Sequence, residues 1–179
     1  MITRLKNRFR IFRKAENGAV VALEFMIMLP LIFGTFFMGF EMGIYSIRQL
    51  MLDRALEVTT RDVRLNTQAT FSHDDLRTAI CANSGGLDKC DENLKLEMLP
   101  MDPRDFTGLP ANPDCENIYS NATPVRGWSL GQQHELMILR ACYRFKPVFP
   151  TTGLGYYLEK NSNGEARMVS ITAFVQEPS

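Results

Sequence analysis

The sequence predicts an α+β protein: a long N-terminal helix, about residues 18–66, packed on a small antiparallel sheet domain with disulfides. Three observations predict it. A predominantly apolar stretch occupies residues 19–47, with no charged residue from Phe25 to Phe40. Helical spacing then continues without Pro or Gly over residues 44–68. Beyond it, short alternating segments read as strands, and all four cysteines lie in this last part. At 179 residues the chain has room for one membrane segment and one modest domain.

Residues 1–18 form a basic leader. Arg4, Lys6, Arg8, Arg10, Arg13 and Lys14 precede the apolar stretch, with only Glu16 against them. By the positive-inside rule this flank stays cytoplasmic and the chain after the apolar segment is translocated. Basic residues also attract anionic lipid headgroups. A nucleic-acid-binding tail is the competing reading of such a run; the hydrophobic segment that follows at once argues against it.

Residues 19–47 read as a transmembrane helix, since a bilayer takes about 20 residues to cross. A cleaved secretory signal would have an apolar core of about 7–15 residues and a small-x-small site after it. This stretch is longer and no Ala-x-Ala follows it. Pro30 lacks an N–H for the carbonyl four residues back, so a kink or a loosened turn is expected there. Thr35, Gly39 and Gly43 share a face, and Gly39-x-x-x-Gly43 lets another helix approach closely; Gly is also simply common in membrane helices. Glu41 is expected at the outer interface, where a carboxylate reaches water. Glu24 is different. A carboxylate inside a membrane helix costs about 2.5–3.5 kcal/mol near the midplane and is a functional candidate by default.

Residues 48–70 extend the same helix outside the membrane. Ile44, Ile47, Met51, Ala55 and Val58 recur at helical spacing, and Arg48, Asp53, Arg54, Glu57, Arg61, Asp62 and Arg64 supply the polar surface. The whole helix would be roughly 70 Å long at 1.5 Å per residue.

Residues 71–179 form the domain. Ser72-His73-Asp74-Asp75-Leu76 is a helix start, with Ser72 as cap and acids in the first turn; Leu76, Ala79 and Ile80 give it a short apolar face. Leu94–Leu99 alternates as a strand. Residues 100–131 hold Pro103, Pro110, Pro113 and Pro124 with Gly108 and Gly127, a long irregular loop. Glu135–Phe145 is the best strand and is placed at the centre; Pro147 and Pro150 stop it. Met168–Val175 is the last strand. The sheet is expected to pack on the exposed half of the long helix.

Cys81, Cys90, Cys115 and Cys142 allow three pairings. On the translocated side an even number reads as two disulfides. Cys81–Cys90 with Cys115–Cys142 is favoured, because the first closes a short loop containing Gly85-Gly86. No Cys-x-x-Cys is present and the spacing does not suit zinc, so no metal or cofactor is implied. No catalytic constellation emerges either. His73 and His134 are isolated, and there is no His-Glu-x-x-His, Gly-x-Ser-x-Gly or phosphate loop. Asp102 and Asp105 around Arg104 read as a salt-linked turn rather than a calcium site. His134 is read as a surface residue opening a strand. Asn121-Ala122-Thr123 fits a glycosylation sequon. Tyr119 and Trp128 read equally as a contact surface or as domain filling.

The basic leader, Glu16-Asn17-Gly18, Leu23-Glu24-Phe25, Leu29-Pro30 and the exit Phe40-Glu41-Met42-Gly43 resemble the N-terminus of type IV prepilin-like proteins, specifically the TadE-like minor pseudopilins of the tight-adherence (Tad) pilus. Glu97-Met98, Asp102-Pro103-Arg104-Asp105-Phe106, the run from Glu135 to Cys142, and Phe149-Pro150-Thr151-Thr152-Gly153-Leu154-Gly155 also resemble the alphaproteobacterial members. The resemblance implies a single-pass inner-membrane protein with a cytoplasmic N-terminus and a periplasmic domain, acting in pilus assembly and residing in the membrane or the pilus. Its implied partners are other pilin-like subunits, Tad inner-membrane assembly proteins, membrane lipid and a prepilin peptidase. No enzyme activity and no nucleic acid is implied.

In that family the peptidase cuts just before the apolar helix, and a Glu stands fifth after the cut. Here cutting after Gly18 makes Glu24 the sixth residue. Cutting after Ala19 restores the fifth position but puts Ala before the bond. Three states stay open: cut after Gly18, cut after Ala19, or uncut. The resemblance also implies that Glu24, flanked by Phe25 and with Pro30 one to two turns on, pairs with a neighbouring subunit's N-terminal amine. The alternative is that Glu24, about 9 Å of rise beyond Gly18, reaches water at the cytoplasmic headgroups. At the level of the whole chain, two rivals stand beside a pilus component. One is an anchored periplasmic scaffold outside any filament; the other is an anchored envelope hydrolase.

Overall fold

The computed structural model describes residues 17–66, 70–104, 113, 115 and 128–177. Residues 1–16 of the basic leader, Asp105, Phe106, Tyr119 and the Asn121–Thr123 sequon lie outside them. Helix α1 runs from Asn17 to Leu65 and is followed by α2, His73–Asn83, and a single turn α3, Cys90–Asn93. Strand β1, Leu94–Pro100, leads through the long connection to β2, Leu136–Phe145. A second short turn α4, Gly153–Tyr157, precedes β3, Ala166–Val175. The protein is α+β, with one antiparallel three-stranded sheet in the order β1-β2-β3.

Helix α1 runs through Pro30 unbroken. Its C-terminal half is held by apolar side chains at three- and four-residue intervals. Leu52, Ala55, Leu56 and Val63 are buried on one stripe, with Thr59 and Thr60 beside them. That stripe meets α2 and β3. Helix α2 starts as its sequence predicts. Ser72 Oγ accepts from Asp75 N–H at 3.2 Å, and the Asp75 carboxylate accepts from Ser72 N–H at 3.0 Å, a reciprocal capping box. These bonds to the ionised form hold the Asp75 pKa below its ordinary value, the Ser72 hydroxyl contributing most and its N–H next. Leu76 and Ile80 are the buried face of α2.

The register explains why β2 is the central strand. Ala141 opposes Leu96 on one side and Ser170 on the other. Side chains opposed across a ladder share a face, so Leu94, Leu96, Met98, Leu139, Ala141, Tyr143 and Met168 line one face. All are buried in the single core that includes Leu52, Leu56, Leu76 and Ile80. Tyr143 carries a hydroxyl into this core and donates it to the Asp88 carbonyl at 2.7 Å. Burial pushes the Tyr143 pKa up; the Arg48 charge opposes that shift and Asp88 adds to it.

The second face of β2 is also closed at its centre. Arg140 opposes Glu97, and both are buried. Arg140 Nε donates to Glu97 Oε2 at 2.6 Å and Nη2 donates to the same oxygen. Two residues on, Cys142 is bonded to Cys115, which is thereby held on this face. The second disulfide, Cys81–Cys90, ties the end of α2 to α3. The connection returns at Trp128, which bridges Met98 in parallel at the edge of β1. Of the expected turn around Arg104, only the Asp102 side is described, since Asp105 lies outside the described residues; there the contact is to the Arg104 backbone. The Asp102 carboxylate accepts Arg104 N–H at 2.9 Å, a bond that a short Asp side chain makes more readily than a long Arg head group can fold back. His134 is exposed, as expected, but sits in the turn before β2 with φ 66° rather than in the strand.

Candidate functional site: the bare helix and its junction with the domain

The N-terminal half of α1 stands apart among the described residues. From Gly18 to Phe40 every side chain is exposed except Leu29 and Phe37, which are half-buried. This helix is long and apolar enough to cross a membrane, and none of its most apolar window is buried within the protein. A helix that is apolar on all sides needs an apolar surrounding. Gly18 and Ala19 lie exposed in the first turn, and Glu24 and Phe25 project from the next two turns, also exposed. Thr35 does not wait for a partner. Its hydroxyl donates to the Leu31 and Ile32 carbonyls at 3.2 and 2.9 Å. Gly39 and Gly43 both face open space, with nothing within 4 Å of where a Cβ would stand. They lie two residues either side of Glu41, so at 3.6 residues per turn they point about 160° away from it. The small-residue face is therefore turned away from the domain.

Glu41 overturns its expected role. Its carboxylate does not reach water; the residue is 2% exposed. Oε1 accepts Val148 N–H and Oε2 accepts Phe149 N–H, both at 3.0 Å. Both amides belong to the Pro147–Pro150 segment that follows β2, where no ladder supplies an acceptor. Charge-assisted bonds of this kind are about twice as strong as neutral ones. Around them Phe149 packs on Phe37 and Phe40, at 4.9 and 6.2 Å between ring centroids.

Two glycines shape the same segment, one against the helix and one against the segment itself. Gly153 has φ +56°, and a Cβ there would stand 3.2 Å from the Met38 backbone. A Cβ on Gly155 would come within 2.3 Å of the Phe149 carbonyl oxygen. About two turns beyond Glu41, Arg48 donates to the Lys146 carbonyl at 3.4 Å and lies over the Phe145 ring at 5.2 Å. The β2–β3 connection is thus fastened to α1 over residues 37–48, where the bare half meets the packed half.

Set against known protein families, curated proteins and solved structures, the chain matches none of them.

The predicted site residues do not converge on a single point. Gly18, Ala19, Glu24, Phe25, Pro30, Thr35, Gly39 and Gly43 are strung along the uncovered helix, and the cysteines lie in the domain. Among the described residues no cluster of three or more His, Cys, Asp or Glu is arranged to hold a metal. His73 is next to Asp74 at 3.2 Å and edge-on to Trp128. Two polar features escaped the sequence reading. The clasp on Glu41 joins residues more than a hundred positions apart, and nothing local announces it. The Glu97–Arg140 pair did leave a signal: one acid and one base, each flanked by apolar neighbours in an alternating strand, at positions that pairing makes opposite.

Proposed function

We propose that this chain is a minor pseudopilin-like component of a Tad-type, type IV-related pilus system, anchored in a bacterial inner membrane and acting in filament assembly. The observation that carries the reading is the uncovered first half of α1, which bears one carboxylate, Glu24, and is continuous with a folded domain. The basic leader supports a cytoplasmic N-terminus, and the two disulfides support a periplasmic domain. In this reading the bare helix exchanges lipid for the helices of other pilin-like subunits and assembly proteins. Gly39 and Gly43 admit a close neighbour on the side away from the domain. Glu24 sets the axial register by meeting a neighbour's N-terminal amine, because an unpaired charge in lipid is costly. A prepilin peptidase frees that amine. The reading assigns the chain no chemistry of its own.

One observation favours a second reading, an anchored periplasmic scaffold that never enters a filament. It is the distance from Gly18 to Glu24, one residue longer than the pilin pattern. The N-terminal residue of the mature protein, read by mass spectrometry, separates the two. A start at Ala19 or Val20 is expected for a pseudopilin, and a start at Met1 for an anchored scaffold. Glu24→Gln is expected to abolish pilus assembly and crosslinking to partner helices while leaving the domain folded. Unchanged assembly and crosslinking in that variant would remove the pairing role.

A further inference from the structure

The segment between β2 and β3 carries a surface that the domain does not use. From Pro147 to Leu158 the sequence has no charged residue. Part of the segment is turned inward, onto α1, through Phe149 and Gly153. The rest points out. Val148 is 44% exposed, Tyr156 66% and Tyr157 76%, and the two tyrosine rings meet edge to face at 5.4 Å. Lys160 Nζ folds back onto the Gly155 and Tyr156 carbonyls, closing the last turn of α4 so that its polar backbone is satisfied.

The height of this patch is set by its fastening. Glu41 lies 23 residues beyond Gly18, about 35 Å along the helix, and Met38, against Gly153, lies about 30 Å along it. The hydrocarbon core of a bilayer is about 30 Å thick. Gly153 and the tyrosines that follow it therefore stand level with the outer edge of the core if Gly18 stands at the inner edge. Tyrosine is enriched at that level, because an apolar ring and a polar tip suit a boundary. The charges are ordered the same way. Arg48 and the exposed Lys146 stand above the patch, where lipid phosphates would be. Glu159, just past the patch, is paired with Arg167 at 3.3 Å. The buried Glu41 fits this layout, since its carboxylate is bonded to backbone N–H groups of the patch itself rather than left facing the acyl region.

We propose that residues 147–158 are an interfacial foot: they take the headgroup–acyl boundary of a lipid bilayer as their ligand and hold the domain at fixed height and tilt on the membrane. The inference rests on α1 spanning a bilayer. It commits to lipid, rather than a second copy, because the patch is continuous with the lipid-facing helix and level with its end.

The test uses the full chain in phosphatidylcholine–phosphatidylglycerol vesicles with brominated acyl chains, which quench nearby tryptophan. Trp128→Phe provides a silent background, into which Tyr156→Trp or Phe36→Trp is placed. Both tryptophans are expected to lose most of their emission, while the native Trp128 keeps its own. Tyr157→Trp in a chain retaining Trp128, read as the difference from the unmodified chain, repeats the result if the background unfolds. Quenching at position 36 without quenching at 156 or 157 would overturn the foot and leave the membrane span standing. No quenching at 36 would overturn the span, and the foot with it. A blue-shifted, unquenched emission at 156 that reverts on dilution would assign the patch to a second copy instead of lipid.

Discussion

From Gly18 to Phe40, α1 turns bulky apolar side chains outward on almost every side, whereas from Glu41 to Leu65 it hides a narrow stripe and shows charges. The backbone is one helix throughout; the surroundings are opposite. In the second half, Leu52, Ala55 and Leu56 are buried by α2 and the sheet, so their apolar area is already out of water. In the first half the same kind of side chain finds almost no cover within the described chain, Phe37 and Phe40 against Phe149 apart. The difference teaches where stability and function separate. The packed half belongs to the fold of the domain. The bare half has no fold to contribute to until lipid or another helix covers it.

Substitution on each side should break or sharpen this contrast. Leu56→Ala leaves a cavity in the shared core and is expected to cost about 2–5 kcal/mol of domain stability. Phe36→Ala, also an apolar truncation on α1, is expected to stay within about 0.5 kcal/mol, as an exposed site should. Thermal unfolding followed by near-ultraviolet circular dichroism, in one detergent for both, checks the pair. Equal losses would mean that the bare half is part of the domain's cooperative unit.

Removing Cys115–Cys142 by a double Ser substitution is expected to cost about 2–4 kcal/mol and to release Cys115 from β2. Reduction without mutation also opens Cys81–Cys90, so it should cost the domain at least as much and leave the helicity of the N-terminal half unchanged.

The junction comes next. Glu41→Gln keeps one acceptor oxygen where two now accept, and its amide group would face a backbone N–H. Hydrogen bonds to charged groups contribute about 1.5–3 kcal/mol. Hydrogen exchange at the Val148 and Phe149 amides should therefore quicken, with little change at β2. Protection unchanged at both amides would show that the clasp is not what fastens the segment.

Smallest is the cap of α2. Ser72→Ala is expected to cost about 1 kcal/mol. It should also remove a pH dependence. The Asp75 pKa is lower folded than unfolded, so its contribution is present above the ordinary carboxylate value and lost as pH falls through the folded one. Acid titrations of the two chains should converge at low pH.

Much of this arrangement is legible in the sequence because it is local. Helix spacing from residue 44 onward, the Ser72–Asp75 start and the alternation in three strands are relations between near neighbours. Backbone geometry converts each directly into a face. The short Cys81–Cys90 loop is legible for the same reason. Glu41 marks the limit. In sequence it is a second acid at the end of an apolar run, and solvent is the reasonable partner. In the folded chain Pro147 and Pro150 take the strand out of the sheet, and the Val148 and Phe149 N–H groups then need an acceptor. Gly155 lets that segment fold tightly on itself, and Gly153 lets it lie against the helix closely enough for Glu41 to be it. By itself the sequence determined the long helix, the start of α2, the three strands and the order of the sheet, but not the short turns Cys90–Asn93 and Gly153–Tyr157. Only the tertiary structure decided which side of α1 is covered, at what height the covering stops, and that a carboxylate at that height is buried. Those depend on contacts between distant segments, whose register no periodicity records.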